Sequence, residues 1–165
     1  MEVEALQLSH ILAYLGPAIA EALAVAGTAL GIRPAASVGL SVIAEEPAMR
    51  TLVLLFTFLP ATQTLVYGFA FMYFMYTLYL PSAFAKYAGA LPLTTAAAFL
   101  GISLFVGFAE LFSAWMQGLI CADAISLLIK TRGAIFSMGI ILAAYEELFG
   151  MLGLVFGLMA VSLVV

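Results

Sequence analysis

Two adjacent glutamates, Glu146 and Glu147, lie in the middle of the last apolar segment of the chain. An ionisable side chain at the centre of a bilayer costs roughly 3 kcal/mol on insertion scales, so such residues usually carry ions, protons or substrate. The position of these carboxylates therefore predicts a role in moving a charged cargo across a membrane. Polar residues in the other apolar segments indicate the kind of cargo.

Glu147 lies about 15 residues from the short polar stretch that precedes its apolar segment. Three further polar side chains lie at about the same distance from the polar stretch at one end of their own segments: Thr62, Gln63 and Gln117. At 1.5 Å of rise per helical residue, all of these groups lie at one level, roughly 22 Å from the helix ends. Hydroxyl, amide and carboxylate oxygens are hard ligands that suit an alkali cation better than a transition metal. Glutamine and threonine also join membrane helices through hydrogen bonds, but the shared depth beside a carboxylate favours an ion site.

The composition indicates that these residues belong to a membrane protein. Of 165 residues, 66% are hydrophobic and 8% are charged, whereas soluble domains are about a quarter charged. The net charge of −4 gives no basic patch for nucleic acid, and the single cysteine, Cys121, excludes an internal disulfide. The acidic start lacks the positive region of a signal peptide, so we expect the first segment to be retained. We predict one membrane domain over residues 1–165.

Polar breaks divide the chain into four apolar segments, at about 11–44, 48–80, 92–129 and 133–163. Each exceeds the roughly 20 residues that a helix needs to cross the hydrocarbon core. The predicted fold is therefore an all-α membrane protein with two tandem helical hairpins, at about 11–80 and 92–163. Arg33-Pro34 is interpreted as a kink within the first span. The two hairpins form a weak sequence repeat, in which Thr62 of the first hairpin is equivalent to Glu147 of the second. A gene duplication and chance similarity between apolar helices explain this repeat equally well.

The basic residues predict the orientation. Arg50, Lys130 and Arg132 lie in the first and third connections, and the middle connection contains only Lys86. The positive-inside rule therefore places the connections near residues 47 and 131 in the cytoplasm.

Several segments carry a resemblance to one family. They are Leu59–Gln63 with Tyr67-Gly68-Phe69, Leu111–Ser113 with Gln117-Gly118, and Gly139 to Val155 around Glu147, together with Gly27 and Gly31. They resemble the proteolipid rotor protein (the K or c subunit) of V-type and archaeal A-type ATPases, which also act as ATP synthases. The chain is similar to this family over nearly its whole length, as a divergent member.

The resemblance implies that identical subunits form a ring, which turns against a stator subunit with an essential arginine. Glu147 would be the carboxylate that carries the ion. In sodium-type members, the positions of Thr62, Gln63 and Gln117 coordinate Na⁺ together with the carbonyl of Leu59. The residue equivalent to Tyr67, here one place out of register, would hold the carboxylate by a hydrogen bond.

Other implied features concern partners and cargo. The connections near 47 and 131 would contact a central-stalk subunit, membrane lipid would surround the ring, and no nucleic acid is expected. The chain itself would not act on ATP, and its only cofactor would be the transported Na⁺ or H⁺. We choose Na⁺ because a proton needs only the carboxylate, although the same groups could hydrogen-bond a protonated glutamate. A prokaryotic plasma membrane is the expected location.

The chain departs from the family pattern at several positions. Glu146 stands where the family has a small or apolar residue, and on a helical wheel it falls on the small-residue stripe of helix packing. We assign ion carriage to Glu147 rather than Glu146. Further departures are the acids Glu21, Glu110 and Asp123, the bulky side chains Phe105, Phe108, Phe112 and Trp115 on the third segment, and Pro34.

Two functions from other classes compete with the rotor. One is a small four-helix ion-coupled transporter or channel protein that uses the same carboxylates without rotation. The other is a membrane protein with a purely structural or assembly role.

Overall fold

The computed structural model describes residues 2–165 and consists of four long helices. Helix 1 spans Glu2–Glu45, helix 2 Pro47–Lys86, helix 3 Leu93–Ser126 and helix 4 Phe136–Ser162. All four are long and apolar enough to cross a membrane. The prediction of an all-α fold with four membrane helices is therefore confirmed. No strand occurs within residues 2–165.

Helix 1 is continuous through both of its prolines, Pro17 and Pro34. The helix therefore does not end at Arg33-Pro34, in agreement with the sequence interpretation. Proline removes one backbone hydrogen bond from a helix, and neighbouring membrane helices can compensate for that loss.

Helix 2 is irregular in the middle. A 3₁₀ turn over Leu59–Ala61 contains Pro60, and a π-helical turn over Gln63–Gly68 follows it directly. A second π-helical turn covers Met75–Tyr79. Proline lacks the N–H that an α-helix needs, so the chain rearranges its hydrogen bonds around Pro60.

The predicted end of the second apolar segment at about residue 80 is wrong, because a final helical stretch covers Leu80–Lys86. Pro81 therefore lies inside helix 2, which continues directly from the π-helical turn into this stretch. The Ser82 hydroxyl donates a 2.7 Å hydrogen bond to the carbonyl of Leu78, one turn earlier. The middle connection is consequently limited to residues 87–92.

Helices 1 and 3 form the centre of the bundle and pack against each other along their lengths. Their backbones meet at glycines: a Cβ added to Gly118 would collide with the Cα of Gly31. A Cβ added to Gly27 would lie 2.5 Å from the Cα of Leu111. Small residues permit this close approach, which is how membrane helices gain van der Waals contact.

The first and third connections lie at the same end of the bundle. The third connection turns through left-handed backbone conformations at Arg132 (φ 51°) and Gly133 (φ 83°). A Cβ added to Gly133 would lie 3.3 Å from Leu52, close to the first connection. At the opposite end, the ring of His10 stacks on that of Phe84 at 4.8 Å. Which end faces the cytoplasm stays a prediction.

Candidate ion-binding site

The carboxylate of Glu147 accepts hydrogen bonds from two other helices. The Tyr67 hydroxyl of helix 2 donates to Oε1 at 3.0 Å, and Nε2 of Gln117 on helix 3 donates to Oε2 at 3.4 Å. The Gln117 amide also donates to the carbonyl of Ala143, one turn earlier on helix 4, at 3.2 Å. Charged acceptors form the stronger hydrogen bonds, so these contacts hold the carboxylate in one position.

The other predicted ligands form a second group directly beside the first. The Thr62 hydroxyl lies 3.0 Å from the carbonyl of Leu59 and 3.1 Å from Oε1 of Gln63. The Gln63 amide donates to Oγ of Ser113 at 3.0 Å. The Ser113 hydroxyl in turn donates to the backbone carbonyl of Glu146 at 2.5 Å. Helices 2, 3 and 4 are therefore joined by polar contacts at one level.

Both glutamines are fully buried, at 0% exposure each. Gln63 reaches helix 4, because its Cγ lies 3.3 Å from the position of a Cβ added to Gly150. Gln63 and Gln117 therefore face the same interface between helices 2, 3 and 4, which also contains Glu147. The predicted ion-binding residues therefore form two hydrogen-bonded groups, one of Leu59, Thr62 and Gln63 and one of Gln117 and Glu147, on helices 2, 3 and 4.

The π-helical turn explains how Tyr67 reaches Glu147. A π turn contains about one residue more than an α turn. The turn over Gln63–Gly68 absorbs that extra residue between Gln63 and Tyr67. It therefore rotates the tyrosine onto the face that contacts helix 4, where its hydroxyl donates to Glu147.

Helix 1 stabilises the irregular part of helix 2. The Thr28 hydroxyl lies 2.8 Å from the carbonyl of Pro60 and 2.8 Å from the hydroxyl of Thr64. These contacts satisfy backbone and side-chain groups that the 3₁₀ and π turns leave without regular partners.

Sequence reasoning did not assign a role to Thr28, Thr64 or Ser113. For Ser113 a signal was present, since it lies four residues before Gln117 and hence on the same helical face. For Thr28 and Thr64, no spacing within the sequence relates helix 1 to helix 2.

The site also offers an unused acceptor. Oε1 of Gln117 is buried and has no hydrogen-bond partner among the described residues. Buried polar atoms are nearly always paired, and an unpaired one calls for an explanation. A cation or a proton donor beside Glu147 would satisfy it, together with the oxygens of Thr62, Gln63 and Leu59.

The side chain of Glu146 lies outside this network. It is half-buried, as Glu147 is, and lines an open groove of about 410 Å³ between helices 3 and 4. The bulky residues of the groove are Phe105, Phe108, Phe112, Met116 and Phe149. The buried positions of helix 4 are Gly139, Ala143, Gly150, Gly153, Gly157 and Val161. Glu146 lies closer to this stripe than Glu147 does at 100° per residue, yet its side chain is half-exposed.

The remaining acids lie in different surroundings. Glu110 is fully buried, Glu21 is half-buried, and Asp123 is exposed on helix 3. None of the three forms a hydrogen bond with the residues around Glu147.

Comparison with known proteins identifies one similarity. Residues 100–160 match the family model of the C subunit of ATP synthase. The matched stretch covers most of helices 3 and 4 and includes Gln117 and Glu147. No curated protein matches the chain. The four helices are long and apolar enough for an integral membrane protein, and the matched stretch is similar to the C subunit of ATP synthase.

Proposed function

We propose that the chain is an ion-translocating rotor-ring subunit of a V/A-type rotary ATPase or ATP synthase and that Glu147 carries Na⁺. The observation that supports this most is the Glu147 carboxylate held by Tyr67 and Gln117, next to the unpaired Oε1 of Gln117. The match of residues 100–160 to the ATP synthase C-subunit family supports the rotary class independently of this geometry.

The proposed mechanism follows from the charge of the site. Na⁺ binding neutralises Glu147, so that the half-exposed carboxylate can face hydrocarbon while the ring turns. A bare charge in lipid would be strongly unfavourable. In this proposal the ion enters through one half-channel and leaves through another, near the arginine of a stator subunit.

Sodium is preferred to a proton because of the oxygen donors around the carboxylate. The hydroxyl of Thr62, the amide oxygens of Gln63 and Gln117 and the carbonyl of Leu59 would each contribute one ligand. Alkali cations are bound by several such hard oxygens, whereas a proton needs only the carboxylate. The hydrogen bond between Thr62 and Gln63 would rearrange when the ion binds.

Carbodiimide labelling tests the choice of ion. A carbodiimide modifies protonated carboxyl groups, so saturating Na⁺ at neutral pH should protect Glu147 from labelling. The Glu147→Gln variant identifies the labelled residue by mass spectrometry. Equal labelling with and without Na⁺ would contradict the sodium proposal and favour protons.

The mass of the assembly in mild detergent tests rotation. Because four helices cannot enclose a rotor, the proposal requires a homo-oligomeric ring of many copies. A monomer or dimer would instead favour the ion-coupled transporter or channel protein that uses the same carboxylate without rotating.

A further inference from the structure

Glu110, in the middle of helix 3, is a second acidic group that the proposed mechanism does not use. Its side chain is fully buried, and both carboxyl oxygens lack a hydrogen-bond partner among the described residues. It points toward helix 4, since Oε2 lies 2.7 Å from the position of a Cβ added to Gly150. Oε1 lies 3.6 Å from the corresponding position at Gly153. The absence of a side chain at Gly150 leaves room for the carboxyl group, whereas the distance at Gly153 is an ordinary van der Waals contact.

The polar groups nearest to Glu110 already have partners. Ser113 lies near Gly150, with its Oγ 3.1 Å from the same added Cβ. Its hydroxyl hydrogen is donated to the carbonyl of Glu146, and its oxygen accepts from Gln63. The Ser113 hydroxyl hydrogen is therefore not available to a negative charge on Glu110, and the Gln63 amide makes no hydrogen bond to Glu110.

A second acid approaches Glu110 from helix 1. Glu21 lies within electrostatic range of Glu110, and its Oε2 is also buried without a partner among the described residues. Oε2 of Glu21 points toward helix 2, where it would collide with a Cβ added to Gly68. The Tyr67 hydroxyl and the carboxylate of Glu147 are the other titratable groups facing this region, from helices 2 and 4. All four of these groups are acids.

Basic residues do not compensate this charge. The chain contains five Lys and Arg residues. Within the spans, Arg33 lines a separate groove with Leu30, Ser37 and Trp115. An isolated carboxylate inside a protein costs so much free energy that it takes up a proton or a counter-ion instead.

From this geometry we propose that Glu110 is a second cation-binding site of the chain, distinct from Glu147, and that its ligand is a proton. A proton needs only one carboxyl oxygen, whereas Na⁺ needs several oxygen donors, and the surroundings of Glu110 are glycine, alanine and already paired groups. Because Glu110 is fully buried, it keeps its proton while the half-exposed Glu147 exchanges its ion. This inference does not depend on rotation of a ring.

Infrared spectroscopy of the purified full-length protein in lipid tests the proposal. At neutral pH with saturating Na⁺, the wild type should show the C=O stretching band of a protonated carboxylic acid. Glu110→Gln should reduce the intensity of this band, while the exposed-acid control Asp123→Asn and, if Glu147 carries Na⁺, Glu147→Gln should leave it unchanged. A band of unchanged intensity in Glu110→Gln, or a wild type without a band under these conditions, would overturn the proposal.

Two further measurements keep the test decisive. If Glu110→Gln does not assemble, Glu110→Asp retains a carboxyl group and should shift the frequency of the band; an unshifted band counts against Glu110. If Glu147 carries protons rather than Na⁺, part of the band will disappear in Glu147→Gln. The difference between wild type and Glu110→Gln still reports on Glu110 alone, so failure of the sodium proposal is distinguishable from failure of this one.

Discussion

Glu146 and Glu147 are adjacent on helix 4, yet their side chains have very different surroundings. Glu147 contacts Tyr67 and Gln117 in a polar interface, while Glu146 lines a groove whose bulky residues are mainly phenylalanines. Both glutamates are half-buried, so exposure does not distinguish them. Successive residues on an α-helix are rotated by about 100°, which directs the two carboxyl groups to different neighbours. Hydrogen-bond partners, not depth or burial, are therefore what favours Glu147 over Glu146 in the proposal that one of these acids carries an ion.

The largest expected effect comes from removing the charge of Glu147. Glu147→Gln keeps the shape of the side chain but cannot neutralise a cation, so ion-coupled ATP turnover in the assembled complex should be lost. The measurement is ATP hydrolysis and Na⁺ uptake in reconstituted vesicles. If ATP turnover stays fully coupled to ion movement in this variant, Glu146 rather than Glu147 carries the ion.

Removing the Gln117 amide should have the next largest effect. Gln117→Ala deletes one cation ligand and one hydrogen bond to a charged group, which we expect to weaken Na⁺ binding at least tenfold, or about 1.4 kcal/mol. The Na⁺ concentration that half-protects Glu147 from carbodiimide measures this change. Gln7→Ala, at an exposed position near the start of helix 1, is the matched control. An unchanged half-protection concentration in Gln117→Ala would exclude this residue as a ligand.

The Tyr67 hydroxyl should make a smaller contribution. Tyr67→Phe removes one hydrogen bond to Glu147 and leaves the ring in place, so a loss of about 1 kcal/mol, or roughly fivefold in Na⁺ affinity, is expected. Tyr73→Phe is the control, because Tyr73 is 52% exposed and its hydroxyl makes no hydrogen bond with the described residues. Equal affinities of the two variants would show that the Tyr67 contact has no role in holding the carboxylate.

The smallest effect should come from Glu146→Gln. The Glu146 side chain has no polar partner among the described residues, and the hydrogen bond from Ser113 goes to its backbone carbonyl, which the substitution retains. Na⁺ protection of Glu147 should therefore change by less than about twofold, well below the effect of one hydrogen bond. A loss of coupling comparable with that of Glu147→Gln would mean that the two carboxylates act as a pair.

The sequence predicted the residues of the site better than their contacts. Apolar segment lengths and the distances of Thr62, Gln63, Gln117 and Glu147 from the polar breaks placed these groups at one level, because helical rise is constant. The end of helix 2 was predicted less well: the second segment was expected to end at about residue 80, whereas a further helical stretch covers Leu80–Lys86. A proline in the sequence shows where one backbone hydrogen bond of a helix is missing. Whether the helix continues past it depends on packing against the other helices.

Composition and spacing alone predicted four helices long and apolar enough to cross a membrane, with carboxylates near the middle of the last one, since these properties depend only on transfer free energy and helix geometry. Only the tertiary structure decided which groups surround each acid. The π turn that directs Tyr67 toward Glu147, the link from Gln63 to Ser113 and the burial of Glu110 beside Gly150 depend on how helices rotate against one another. That rotation is set by contacts between residues far apart in the sequence, which no local pattern encodes.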